Sequence, residues 1–435
     1  MKHHLPGNHL PSLLATALAL SFTALSGNAL ANAVPSNHQI EHITVEGNNI
    51  QALAGHTVVL NKTDIERKGA ANPDTASLLR GLPGVHLNAT GGLSSLPVVR
   101  GLADDRVRIK VNGMDLIASC PNHMNPPLSY LAPSDIGTLT LYAGLSPVSA
   151  GGDSLGGTII AESKPPQFSS IDDSEFSGEW GAFYRTNNQA RGTNLNLQYT
   201  TDSALFSYSG NWSEANNYSA AENFKPQATT GRPGHTLPLD EVGSSAFETQ
   251  NHNIRVAWQL DQVNMLDAKL SYQNMPLQLY PNQRMDLLDN EQVNVNVAWY
   301  RDTDWGQITT RFYHENVDHM MNFGADKQFW YGSNAMMGMP CEPMRFMGDP
   351  EGTCAAGMPM YSESQNNGLT VKADYFLSAN DLLRLGVELQ QYNLDDYWTP
   401  SGGGMGPGTF LNINNGNRNR AAFYIEREHT AFNKW

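Results

Sequence analysis

The 435-residue chain has no basic face, with 27 Lys and Arg against 42 Asp and Glu and a formal net charge of −15. A phosphate-binding surface needs a basic patch, so nucleic acid is excluded as a partner. Long apolar runs are also missing. Beyond residues 13–25 (LLATALALSFTAL), no stretch reaches the roughly 18 apolar residues of a spanning helix. Cysteine is scarce, with 3 in the chain. No Ser-His-Asp arrangement and no pair of carboxylates set for acid–base work stands out, so the chain is not read as an enzyme. Asn, Gly, Tyr and Trp are plentiful, which suits strands and polar loops better than helical bundles.

The N-terminus has the layout of a signal peptide. Lys2, His3 and His4 form a polar start, the apolar run follows, and Ala29-Leu30-Ala31 and Ala31-Asn32-Ala33 offer small-residue cleavage sites. The alternative is an N-terminal membrane anchor. An exported chain meets an oxidising compartment. Cys341 and Cys354 share one polar, Gly- and Pro-rich segment and are expected to close a disulfide loop. Cys120 is left over, and an unpaired thiol there needs a reason.

Residues 43–165 read as a small α+β unit. Thr63-Asp64-Ile65-Glu66 has the form of a capping box. Asp74 starts a second short helix, TASLLR, ended by Gly81 and Pro83. Strand-like runs follow at Pro97–Arg100 and Val107–Val111, and Asn112-Gly113 is a hairpin turn signal because both residues tolerate positive φ. From about residue 170 the pattern changes to period two. Leu195, Leu197 and Tyr199 alternate with polar residues, Thr201-Asp202 turns the chain, and Ala204, Phe206, Tyr208 and Trp212 resume the alternation. Ile254, Val256, Trp258 and Leu260 repeat it, as do Val293, Val295, Val297 and Trp299. Alternation over roughly ten residues with aromatics near segment ends marks transmembrane β-strands. A soluble sandwich is the rival, with strands nearer 5–6 residues. Polar inserts at 213–250, 322–366 and 398–410 favour a barrel with long loops on one side. Residues 170–435 provide roughly ten to thirteen strands at about 9–11 residues per crossing. The chain stops after the strand-like AAFYIERE, and an open sheet edge cannot sit in lipid. The expectation is a transmembrane antiparallel β-barrel truncated at its C-terminus, with a barrel completed elsewhere as the alternative.

Several ordered motifs then carry a resemblance. Pro97-Val98-Val99-Arg100-Gly101-Leu102, Asp105-Arg106-Val107 and Val111-Asn112-Gly113-Met114 resemble the core of TonB-dependent receptor plugs. Ala76-Ser77-Leu78-Leu79 through Leu82-Pro83-Gly84-Val85, and Leu141-Tyr142-Ala143-Gly144 through Gly156-Gly157-Thr158-Ile159, resemble other segments of the same plug. The resemblance implies an α+β plug domain inside a transmembrane antiparallel β-barrel in the bacterial outer membrane. Such a receptor imports scarce ligands with work supplied through the TonB energy-coupling complex. It implies a signal peptide at 1–33, a TonB box and plug at 34–165 and barrel strands at 170–435. Ile43-Thr44-Val45 sits where such receptors carry the TonB box, which is captured by strand addition. The same residues read equally well as the first strand of the plug.

Cys120-Pro121-Asn122-His123-Met124 follows the plug hairpin. Thiolate and thioether are soft ligands suited to Cu(I), and imidazole tolerates either copper state. A buried thiol beside a packing methionine is the alternative. In the run RFYHENVDHMMNF, alternation puts His319 and Met321 on one face and Met320 on the other. That face looks into the lumen, or else the methionines pack against lipid. The following loop holds Met336, Met337, Met339, Met344, Met347, Met358 and Met360 among Gly, Pro, Asn and acidic residues, where a packed core is implausible. A thioether array that collects Cu(I) is one reading, and generic loop composition is the other. CPNHMNPP with the later H-x-M resembles the copper-binding TonB-dependent receptors. This implies a site of Cys120, Met124, His319 and Met321, with His123 as an extra candidate.

The expected function is therefore import of copper, as Cu(I), into the periplasm. A siderophore or other metal-chelate receptor would show Arg- and aromatic-lined loops. A secreted copper oxidase would need a His₂Cys grouping, which is not found. A non-transporting surface copper binder, or an adhesin or phage-docking barrel, is a further alternative.

Overall fold

The computed structural model describes residues 57–69, 72–170, 173–230, 234–327, 330–331, 355–401 and 409–429, all within one compact unit, Thr44–Trp435. The proposed signal peptide, TonB box and Cys341–Cys354 pair, and Met336, Met337, Met339, Met344 and Met347, lie outside the described residues.

The first part is built on a five-stranded sheet. Strand β1 (Thr57–Leu60) leads into helix α1 (Lys62–Gly69), and a 3₁₀ turn (Thr75–Leu79) precedes the hairpin of β2 (Val85–Asn88) and β3 (Leu96–Val99). Then come β4 (Val107–Val111), β5 (Met114–Asp115), β6 (Thr138–Ala143), the short α2 (Val148–Gly151) and β7 (Gly157–Glu162). Sheet order is β1-β6-β7-β4-β5, with β4 and β7 parallel. Leu78, Leu79, Leu128, Leu139, Leu141 and Ile159 are fully buried against this sheet. Two local expectations are corrected. The N-cap of α1 is Asn61, whose Oδ1 accepts the Asp64 N–H at 3.0 Å, and Thr63 lies inside the helix. The TASLLR helix is a single 3₁₀ stretch, and the Asp74 carboxylate accepts the Ser95 N–H at 3.3 Å instead of capping. Burial pushes that carboxyl above its ordinary range, against the Ser95 hydrogen bonds.

The second part is a ten-stranded antiparallel sheet in chain order. It consists of β8 (Glu175–Arg185), β9 (Ala190–Thr200), β10 (Ala204–Ala215), β13 (Phe247–Gln259), β14 (Asn264–Gln278), β15 (Asp286–Thr303), β16 (Gly306–Asn322), β19 (Met360–Ser378), β20 (Asp381–Trp398) and β21 (Phe410–His429). Two small ribbons sit in the long loops, β11 (Tyr218–Ser219) with β12 (Glu241–Val242) and β17 (Trp330–Tyr331) with β18 (Ala355–Ala356). In this sheet β8 and β21 are the outer strands and do not pair with each other. Phe206, Ile254, Trp258, Leu270, Phe423 and Ile425 are exposed on one face, an apolar band of the kind that transmembrane β-strands present. The other face is polar and packs on the first part.

Strands β14 to β16 and β19 to β21 run to 15–20 residues, well past one bilayer crossing. The excess has a visible cause. On the apolar side, Glu291 pairs across strands with Asp318, Asp318 with Glu363, and Glu363 with Asp395. Directly opposed carboxylates repel and hydrocarbon would not tolerate them, so this level of the strands is built for water. The polar inserts are correspondingly shorter than their sequence limits.

The Asn112-Gly113 turn anchors the first part on the wall. Asn112 has φ +49° and Gly113 φ +76°, as the two-residue turn requires. A Cβ on Gly113 would meet Arg311 Nε at 2.6 Å and push that flexible side chain aside, so it is the positive φ that calls for glycine here. Asn296 Nδ2 donates to the Asn112 carbonyl at 2.9 Å, and Lys269 Nζ to Asn112 Oδ1 at 3.1 Å.

Candidate metal site and its setting

Cys120 follows the β4–β5 hairpin on a loop that turns back on itself. His123 N–H donates to the Cys120 carbonyl at 2.9 Å, with His123 at φ +52°. The thiol is fully buried and free. Burial pushes its pKa up, and the nearby Asp396 carboxylate pushes the same way. Backbone N–H groups of Met124 and Asn122 pull it back.

Cys120 sits in an apolar cluster with Met275, Tyr280, Met285, Leu287, Met321 and Met360. Met124, Met358 and Trp398 pack against it. Sulfur is thus contributed from both sides, Cys120 and Met124 from the first part and the other methionines from the wall. Met321 is paired across strands with Leu287 and Met360. His319 lies two residues before Met321 on the same buried face and is paired with Asn290 and Ser362. Met320 points the other way and is half-buried. His319 Nδ1 is 3.0 Å from Asn290 Oδ1, while its Nε2 is buried without a hydrogen-bond partner. A bare, buried imidazole nitrogen on the same strand face as Met321 is a group that a soft cation could satisfy. Among the described residues no group of three or more His, Cys, Asp or Glu is placed to hold a metal ion, so a site here would depend on thioethers.

His123 turns elsewhere. Its Nε2 faces Asp105 Oδ2 at 3.7 Å. Burial lowers its pKa, but the Asp105 hydrogen bond and charge outweigh this and raise it, while the Asp105 carboxyl is lowered by the same contact.

The Cys120 loop is clasped by wall side chains. Asn366 Nδ2 and Gln390 Nε2 donate to the Asp115 carbonyl at 3.0 and 2.9 Å, and Tyr392 OH to the Ala118 carbonyl at 3.3 Å. Tyr280 OH donates to the Met124 carbonyl at 2.8 Å, and Gln273 Nε2 to the Ser129 carbonyl at 2.6 Å. Below the loop, Lys110 Nζ meets Glu388 Oε1 at 2.9 Å, and Arg108 and Arg420 reach Asp115 at 2.7 and 2.5 Å. Met275, Met285, Tyr280, Gln273, Asn290 and Asp396 all escape a sequence reading. Each stands alone in the chain and gains its neighbours only through register and docking.

A further contact to the wall is sensitive to pH. Asp135 accepts hydrogen bonds from Ser209 Oγ and, at 2.8 Å, from Asn253 Nδ2. It lines a cavity of about 320 Å³ beside β8 to β10. Burial pushes its carboxyl up to about 6, against both hydrogen bonds. A carboxyl with a raised folded-state pKa binds more protons when folded, so its stabilising effect is full below about 4 and is lost as pH rises through about 6. Asp135→Asn keeps an acceptor for Asn253 and a donor for Ser209. It is expected to flatten the fall in melting temperature between pH 4 and 6 relative to the parent chain; parallel pH profiles would refute this.

The family model for the TonB-dependent receptor plug domain matches residues 49–158. Curated protein sequences yield no significant match. Among solved structures, similarity extends to the copper transporter OprC, at 19% identity and TM-score 0.61, covering 79% of this chain and 47% of that one. The siderophore receptor PirA from Acinetobacter baumannii aligns at 13% identity and TM-score 0.53, covering 78% and 48%. A mutant of the ferric enterobactin receptor PfeA from Pseudomonas aeruginosa aligns at 13% and 0.58, covering 86% and 55%. The chain thus spans about half the length of the receptors it resembles. The chain thus carries a plug domain of the TonB-dependent receptor type, followed by antiparallel strands whose fold resembles the barrel wall of such receptors.

Proposed function

We propose that this chain is part of an outer-membrane receptor that binds copper, as Cu(I), and passes it to the periplasm with work supplied through TonB. The observation that carries the reading is the partnerless Nε2 of His319 on the same buried strand face as Met321, which itself belongs to a cluster with Cys120 that Met124 packs against. Thiolate, thioether and imidazole together favour Cu(I) over zinc, which avoids thioethers. The buried Asp396 carboxylate close to Cys120 adds negative charge that suits a cation. Met358 and Met360, at the end of the Met-rich loop, join the cluster and support capture by that loop. Release has a mechanical basis, because Cys120 and Met124 belong to the plug and His319 and Met321 to the wall. Any displacement of the plug pulls the donor set apart. OprC, by its name a copper transporter, supports the cargo; PirA and PfeA, by theirs, support a siderophore or ferric chelate.

Elemental analysis of detergent-extracted protein decides between them. Copper near one per chain, in excess of zinc and iron, is expected. No retained metal would favour the chelate reading. Deleting residues 43–45 should leave copper retention unchanged and reduce energised uptake to background; persisting uptake would place the coupling segment elsewhere.

A further inference from the structure

The orientation of His319 is not a local matter. Its Nδ1 faces Asn290 Oδ1 at 3.0 Å, Asn290 Nδ2 donates to Gln273 Oε1 at 3.2 Å, and Gln273 Nε2 donates to the Ser129 carbonyl at 2.6 Å. The second proton of Gln273 Nε2 has Asn251 Oδ1 at 3.2 Å. Asn290, Gln273 and His319 are all at most 2% exposed, so water does not share these bonds. Ser129 lies in the plug, in the 3₁₀ turn Pro127–Tyr130 just beyond the Cys120–Met124 loop.

The direction of the whole chain follows from its last member. A backbone carbonyl can only accept, so Gln273 must present its NH₂ to Ser129. Its Oε1 then faces Asn290 and demands the Asn290 NH₂. That leaves Asn290 Oδ1 towards the imidazole, and an amide oxygen demands a donor. Nδ1 must therefore carry the proton, and Nε2 holds the bare lone pair.

We infer that a plug backbone carbonyl sets the tautomer of a wall histidine: Ser129, through Gln273 and Asn290, holds His319 as the Nδ1–H form with Nε2 ready to bind a cation, and this couples the ligand to plug seating. The inference rests on the copper reading for the identity of the cation; the tautomer itself is a property of the ion-free protein. Asn290 and Gln273 are positioning residues. When the plug withdraws, the Ser129 acceptor leaves, both amides are free to turn over, and Nε2 can take the proton. Plug movement thus separates the donors and also disarms the one that stays on the wall. Partners of this kind behind a metal-binding histidine are worth about 10–100-fold in affinity.

Long-range ¹⁵N–¹H correlation spectra of the detergent-solubilised, ¹⁵N-histidine-labelled chain read the tautomer, with His319→Gln assigning the signal. The parent should show Nδ1–H. Asn290→Leu and Gln273→Leu should give Nε2–H or a mixture. Asn290→Asp, which still accepts from Nδ1, should restore the parent signature. In competition for Cu(I) against a chromogenic chelator, both leucine variants should bind about 10–100-fold more weakly and Asn290→Asp like the parent. An Nε2–H signal in the parent, or an unchanged tautomer in both leucine variants, would overturn the relay. If the tautomers behave as expected but the parent binds no Cu(I), the relay stands and the copper reading fails.

Discussion

On the proposed copper reading, Cys120→Ser is expected to remove stoichiometric copper from protein purified from copper-supplemented cells while leaving the fold in place. Serine is nearly isosteric, and its oxygen can accept the Met124 and Asn122 N–H groups that now point at the sulfur. The surroundings therefore lose little except a soft donor. What remains is thioether from Met124 and Met321 and the imidazole of His319, and a neutral hydroxyl adds almost nothing for Cu(I). The fully buried position gives no room for a water to replace the thiolate. Met124→Leu and Met321→Leu keep the packing volume and should each cost less than the loss of the thiolate. Equal copper content in parent and Cys120→Ser protein, with matching melting temperatures, would remove Cys120 from the site. A lower content with a collapsed melting temperature would instead reveal a packing role. Met124→Leu then separates the two, since it changes a half-buried side chain at the rim of the cluster.

Legibility from the sequence differs sharply between the plug and the site. Motifs that encode backbone geometry are local and survive folding unchanged, so Asn112-Gly113 marks the β4–β5 turn and period-two alternation marks the wall strands and their exposed apolar face. Helix ends were less legible. Thr63 and Asn61 both suit a cap, and only the path of the chain from β1 selects Asn61. The sulfur cluster was half legible. Cys120, Met124 and Met321 announce themselves by spacing, while Met275 and Met285 are isolated letters brought in by strand register. The relay was not legible at all. Gln273 and Asn290 are ordinary lumen-facing amides until Ser129 is set against them, and that depends on how a separate domain docks.

The same docking makes the second large effect asymmetric. Lys110 is 4% exposed, and its ammonium faces Glu388 at 2.9 Å, joining the plug's β4 to the wall's β20. Arg420 and Arg108 reach the other Glu388 oxygen at 3.5 and 3.8 Å. Asp115 already engages both guanidinium groups, and burial raises its carboxyl pKa but Arg108 and the other cations outweigh this and hold it below the usual range. Glu388→Leu therefore strands a buried ammonium that Asp115 cannot serve, at a cost of about 3–5 kcal/mol. Lys110→Met leaves Glu388 with two guanidinium neighbours and should cost only about 1–3 kcal/mol. The two side chains form one ion pair, yet removing its halves should not be equivalent. Hydrogen exchange of the β4 and β7 amides reads plug stability directly. Glu388→Leu should speed it by roughly two to four orders of magnitude, converting at about 1.4 kcal/mol per decade, with a much smaller change for Lys110→Met. The double variant should recover part of the loss, because a buried pair replaced by apolar groups is close to neutral. Equal acceleration in the two single variants would mean that the pair is solvated and does not clamp the plug. The predicted order means that the attachment of the plug to the wall is concentrated at Glu388.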